Sequence, residues 1–124
     1  MPEAFVRARP QPDAVITRAV LRAASNLAIS KKILARILGV SAASVSRLGR
    51  ERAIDPASKE GELALLFLRM ARSLDAIVGG SDEAAAAWLA ADNRHLGGVP
   101  LELIQGVAGL ARVADYLDAL RGRL

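Results

Sequence analysis

The chain has 124 residues, long enough for one domain with a real core or for two small helical subdomains sharing one. Hydrophobic residues make up 52% of it and aromatics only 3%, which excludes a disordered chain and favours alanine and leucine on helices over a sheet. There is no cysteine, so disulfides and thiolate metal sites are excluded, and the formal net charge is +4. That charge is unevenly placed. Residues 1–55 hold ten basic against four acidic side chains, net +6, and residues 56–124 hold seven basic against nine acidic, net −2. No run approaches the roughly 18 uninterrupted apolar residues of a membrane-spanning helix. Arg7 and Arg9 are not followed by an apolar stretch, so no signal peptide is expected, and a cytoplasmic location fits.

In chain order, Pro2, Pro10 and Pro12 predict an N-terminal arm over 1–12. Asp13 is placed to cap a first helix running to about Leu27, with Ile16, Ala19, Val20, Ala23 and Leu27 along its apolar face. Ser30 caps a second helix ending at Leu38. Ser41 caps a third, expected to end near Gly49–Arg52. Between these two lies the informative stretch. Ala35 sits where two helices pack closely, Gly39 where the turn needs a backbone conformation that glycine adopts without steric cost, and Val45 where the second helix plugs into the first. Val40 and Leu48 complete the apolar side. This spacing reads as a helix-turn-helix, although an ordinary helical hairpin needs glycine at its turn for the same steric reason.

The outward positions Ala42, Ala43, Ser44, Ser46 and Arg47 are small, polar or basic, as a surface entering a DNA major groove requires. The DNA-facing candidates are Ser41, Ala43, Ser44, Ser46 and Arg47, with Arg47 able to fork onto guanine and Lys31, Lys32 and Arg50 suited to phosphates. A face so poor in long polar side chains reads few bases in one copy, so a homodimer is expected. The positive half of the chain is the half that carries this motif.

Asp55-Pro56 predicts the start of the longest helix, an N-cap followed by proline in the first helical position. Leu63, Leu66, Phe67, Met70, Leu74 and Ile77 form its stripe, and Leu65 and Leu68 lie off it, so this helix is central or faces a partner. Gly79-Gly80 stops it, and Ser81 caps the next helix, with Asp82 and Glu83 in its first turn. Leu96-Gly97-Gly98-Val99-Pro100 predicts a tight turn and a helix restart near Pro100. Leu103, Val107, Leu110, Ala114, Leu117 and Leu120 follow as one stripe, on one helix or on two broken near Gly106–Gly109.

No catalytic constellation assembles. His95 is the only histidine, so a transition-metal site is not expected, and neither a nucleophile with its base nor a phosphate-cradling loop is present. A non-enzyme without cofactor is the reading. Trp88, the only tryptophan, is either a core anchor among alanines or an interface hot spot.

Trp88-Leu89, then Asn93-x-x-Leu96-Gly97-Gly98-x-Pro100-Leu101-Glu102-Leu103-Ile104, then Gly109, Val113, Leu117 and Leu120, resembles the C-terminal toxin-binding domain of Xre/MbcA/ParS-like antitoxins. The upstream helix-turn-helix is similar to the Xre-type half of the same family, so the resemblance covers about residues 15 to 122. It implies an all-α fold with three parts: the arm at 1–12, a helix-turn-helix subdomain at 13–55, and a helical toxin-binding domain at 56–124 entered through the long helix. It implies an antitoxin of a RES-domain toxin that consumes NAD or uses it for ADP-ribosylation, with the antitoxin obstructing the NAD cleft and repressing its own operon. Trp88, Asn93, Leu96, Gly97, Gly98, Pro100, Tyr116, Leu120, Arg121, Arg123 and Leu124 are the toxin-binding candidates under that resemblance. Segment 114–124 would block the cleft and 88–100 would shape the platform. A slightly acidic, hydrophobic half suits a cleft that binds an anionic dinucleotide. The alternatives are a stand-alone regulator whose C-terminal half dimerises or senses a ligand, and an interaction module that no longer binds DNA.

Overall fold

The computed structural model describes residues 11–124. Apart from Gln11 and Pro12, the expected arm lies outside them. Among the described residues there are seven helices and no strand: α1 (Pro12–Asn26), α2 (Lys31–Leu38), α3 (Ala42–Ser46), α4 (Lys59–Ile77), α5 (Asp82–Ala90), α6 (Pro100–Leu103) and α7 (Val107–Arg121). No helix among them is long and apolar enough to cross a membrane.

The serines expected as caps do that work. Ser30, Ser41 and Ser81 accept hydrogen bonds from the backbone N–H groups of Ile33, Ser44 and Ala84, each three residues on. Two capping expectations fail. Gln11 occupies the cap of α1, with Pro12 and Asp13 in its first turn, because proline's fixed φ suits the first helical position. The longest helix starts three residues later than expected, with Ser58 as its cap. Asp55 instead closes a turn, its Oδ1 accepting from the Ala57 N–H at 2.9 Å.

Helix α4 is the axis of the molecule and packs against α1, α2, α5 and α7. Ala64, Phe67, Met70, Ser73 and Leu74 on it are fully buried. Burial of each large apolar side chain contributes about 1.5–3 kcal/mol. Leu110, Val113, Ala114 and Leu117 give α7 its buried face. Val107, expected on that stripe, is 64% exposed, because the chain breaks at Gly106 and α7 begins with that side chain turned outward. Leu65 is likewise 52% exposed, so the second apolar face of α4 is only partly covered. At the rim, Arg69 bridges to Asp115 and Asp118 of α7, and Ser73 Oγ donates to Asp118 Oδ1 at 2.6 Å. The hydrogen bond to Asp115 holds the Arg69 guanidinium above its ordinary pKa.

Thr17 on α1 is the polar member of the N-terminal core, 2% exposed. Its hydroxyl donates to the Asp13 carbonyl at 2.6 Å and accepts from the Ile54 N–H at 2.8 Å, which ties α1 to the segment entering α4. Thr17→Val keeps the shape and orphans that buried N–H. The expected loss is about 1–3 kcal/mol, read as a lower urea midpoint at unchanged m-value.

Candidate functional site

The helix-turn-helix is built as its spacing predicts. Gly39 closes α2 at φ 70°, and the Val40 N–H donates back to the Ala35 carbonyl at 3.0 Å. Ala35 and Val45 are 4% and 2% exposed, so α3 sits directly on α2. The third helix is shorter than expected and ends at Ser46. Beyond it the chain wraps round the Arg47 carbonyl, which accepts from the N–H groups of Arg50, Glu51 and Arg52 at 3.3, 3.0 and 3.2 Å. At the end of α3 the bonds tighten to three-residue spacing, from the Arg47 N–H to the Ser44 carbonyl and from the Leu48 N–H to the Val45 carbonyl, and the helix stops.

Lys31, Lys32, Ser41, Ala42, Ala43, Arg47 and Arg50 are exposed, and Ser44 and Ser46 are half-buried. Lys31, Lys32 and Arg47 make no ion pair among the described residues, which leaves them free for phosphates or base edges. The Ser41 oxygen is engaged as the α3 cap, and Arg50 donates to the Ser46 carbonyl at 3.3 Å. Arg36, on the outer side of α2, donates to Gln105 Oε1 at 3.2 Å, so the helix-turn-helix touches the α6–α7 junction.

The C-terminal candidates fall into two groups. Asn93, Leu96, Gly97, Gly98 and Pro100 build a turn. Asn93 Oδ1 accepts from the Leu96 N–H at 3.0 Å, the Asn93 N–H donates to the Gly98 carbonyl at 2.9 Å, and the Asn93 carbonyl accepts from the Gly97 and Gly98 N–H groups. Leu96 and Pro100 are buried, so they hold this turn on the core rather than present themselves to a partner. The second group is surface. The half-buried rings of Trp88 on α5 and Tyr116 on α7 stack with centroids 6.4 Å apart and planes at 18°. His95, assigned no role from the sequence beyond the absence of a metal site, stacks on the same Tyr116 at 6.0 Å and 26°. The only tryptophan, tyrosine and histidine of the chain thus meet on one face. Their sequence separations hide this, since only the tertiary fold brings α5, the turn after it and α7 together. Leu120 is half-buried, and Arg121, Arg123 and Leu124 are exposed at the end of α7.

Two family models match this chain. Residues 6–69 match the antitoxin Xre-like helix-turn-helix domain, and residues 73–123 match the antitoxin Xre/MbcA/ParS C-terminal toxin-binding domain. The two matched segments meet inside α4. A search of curated proteins finds no match to the chain.

Proposed function

This chain belongs to the Xre/MbcA/ParS antitoxin family, and on that basis we propose that it neutralises a RES-domain toxin by covering its NAD-binding cleft and represses its own operon. Its family domains are a DNA-binding and a toxin-binding module; neither is an enzyme. The observation that carries the proposal is the pairing of two heads on one helix. α4 packs on α1 and α2 of the helix-turn-helix at one side and on α7 of the toxin-binding domain at the other.

The toxin-facing surface is the Trp88–Tyr116 stack with Leu120 beside it, and the blocking element is the exposed end Arg121, Arg123 and Leu124. Stacked aromatics supply large contact area at small entropic cost, and the terminal guanidinium groups suit a pocket made for a dinucleotide's phosphates. Asn93 to Pro100 set the height of this surface through the turn they form. On the DNA side, Arg47 reads a base edge while Lys31, Lys32 and Arg50 hold phosphates. α3 offers mainly alanine and serine to the groove, so a cytoplasmic homodimer on a twofold operator supplies the specificity that one copy lacks.

The test is NAD consumption by the product of the adjacent reading frame, titrated with the purified chain. A stoichiometric end-point is expected. A folded chain that leaves the activity untouched at tenfold excess would refute the occlusion reading and leave a DNA-binding regulator.

A further inference from the structure

Arg52 carries charge in the basic half of the chain, which by composition alone makes it another phosphate contact. Its guanidinium is already committed. Nε donates to the Ser44 carbonyl of α3 at 2.9 Å, and Nη1 and Nη2 donate to the two carboxylate oxygens of Glu60 on α4 at 2.9 and 2.7 Å. The side chains of the pair are 24% and 13% exposed. The backbone of Arg52 is bound as well, since its N–H reaches the Arg47 carbonyl and its carbonyl accepts from the Gly49 N–H at 2.9 Å. A five-residue helix has few internal hydrogen bonds to hold its own direction. Here one residue fastens both: its side chain ties the Ser44 carbonyl of α3 to the first turn of the central helix, and its backbone N–H holds the Arg47 carbonyl.

We propose that Arg52 is a positioning residue for DNA reading: it fixes α3 and Arg47 on Glu60 of α4 and does not itself touch DNA. This rests on the DNA-binding reading above. The planar fork is what the site uses, with two bonds to a carboxylate and one to a carbonyl, and an ammonium cannot make all three in this geometry. The Glu60 side-chain hydrogen bond also holds the Arg52 guanidinium above its ordinary pKa.

The experiment uses the full chain and two labelled duplexes, one carrying the sequence upstream of its own reading frame and one of random sequence, titrated across a range of salt. Arg52→Ala and Arg52→Lys are both expected to weaken promoter binding by about tenfold, as loss of charge-assisted hydrogen bonds does. They should leave the slope of log affinity against log salt, and binding to the random duplex, as in the unaltered chain. Arg47→Ala in parallel shows how a direct contact behaves, with lost discrimination or a slope reduced by about one. Glu60→Gln should weaken promoter binding in the same way but less than Arg52→Ala, since the Ser44 bond survives, and the double variant should be no worse than Arg52→Ala, because Glu60 acts through Arg52. Hydrogen exchange at the Val45, Ser46 and Arg47 amides should speed up in Arg52→Ala while the melting of the rest of the chain is retained. A slope reduced by about one with binding restored by Arg52→Lys would make Arg52 a phosphate contact and overturn the proposal, as would unchanged exchange in α3. Failure of the unaltered chain to bind either duplex would remove the DNA-binding reading itself, and with it any role of Arg52 in positioning for DNA, whatever the exchange rates.

Discussion

Gly109→Ala is expected to cost about 2–4 kcal/mol, far more than a helix-interior alanine normally does, since that exchange usually gains up to about 1 kcal/mol. A Cβ built on Gly109 falls 2.0 Å from the Leu103 carbonyl oxygen and 2.8 Å from its carbon. These are backbone atoms of the last residue of α6, so no rotamer change relieves the overlap. α6 must lift from the first turns of α7, and with it move Pro100 and Ile104, both buried beneath. Three residues earlier a Cβ on Gly106 meets the same carbonyl oxygen at 4.0 Å, an ordinary contact. Gly106→Ala is therefore the control, expected to be near neutral. Thermal and urea unfolding of the two variants side by side decides the matter. Equal stabilities would mean that the α6–α7 junction gives way without cost, and that Gly109 is dispensable to the partner-binding domain.

The second large effect concerns the partner. Trp88→Ala and Tyr116→Ala are each expected to weaken the complex with the toxin by about 2 kcal/mol or more, some thirtyfold in Kd, as central aromatic contacts do. Deleting Arg121–Leu124 should abolish inhibition while the melting temperature stays where it was, because those residues are exposed and lie past the last buried position of α7, Leu117. The cut has to be made there. Ending the chain after Leu110 would also remove Val113, Ala114 and Leu117, all fully buried, and would confuse loss of contact with loss of fold. Calorimetric titration of each variant into the toxin, with unfolding measured on the same sample, separates the outcomes. A Trp88→Ala variant that melts earlier yet binds as before would reduce the aromatic face to packing. A tail deletion that inhibits fully would move the blocking element to another part of the domain.

These effects divide between what is written locally in the chain and what is not. The caps Ser30, Ser41 and Ser81, the turn at Gly39 and the restart at Pro100 were legible because each depends on backbone geometry within three or four residues. A hydroxyl three positions before an orphan N–H, or a ring that presets φ, acts whatever surrounds it. The helix-turn-helix and its exposed positions Ala42, Ala43 and Arg47 followed from the same local rules plus one helical period, whereas Ser44 and Ser46, expected to face outward, are half-buried. The order of residues in the Asn93–Pro100 turn was legible for a like reason, since its hydrogen bonds stay inside six residues.

Tertiary structure moved two boundaries. Asp55-Pro56, expected to open α4, closes a turn, and Ser58 caps the helix instead, with Glu60 in its first turn meeting Arg52 and Ile54 entering the core beside Thr17. The third helix stopped short of its expected end, and Arg52, eight residues on, donates to the Ser44 carbonyl there, a bond that no periodicity encodes. The aromatic face of Trp88, His95 and Tyr116, and the clamp of Arg69 on Asp115 and Asp118, join residues separated by up to 49 positions. The sequence by itself therefore determined an all-helical chain with a helix-turn-helix, its caps and its turns, because those are settled by hydrogen bonds within a turn or two. Which charges are free and which are spent, and which distant rings share a surface, were decided only when α4 drew α1, α2 and α7 onto its sides, because burial of its apolar residues sets the distances between groups that the chain itself keeps apart.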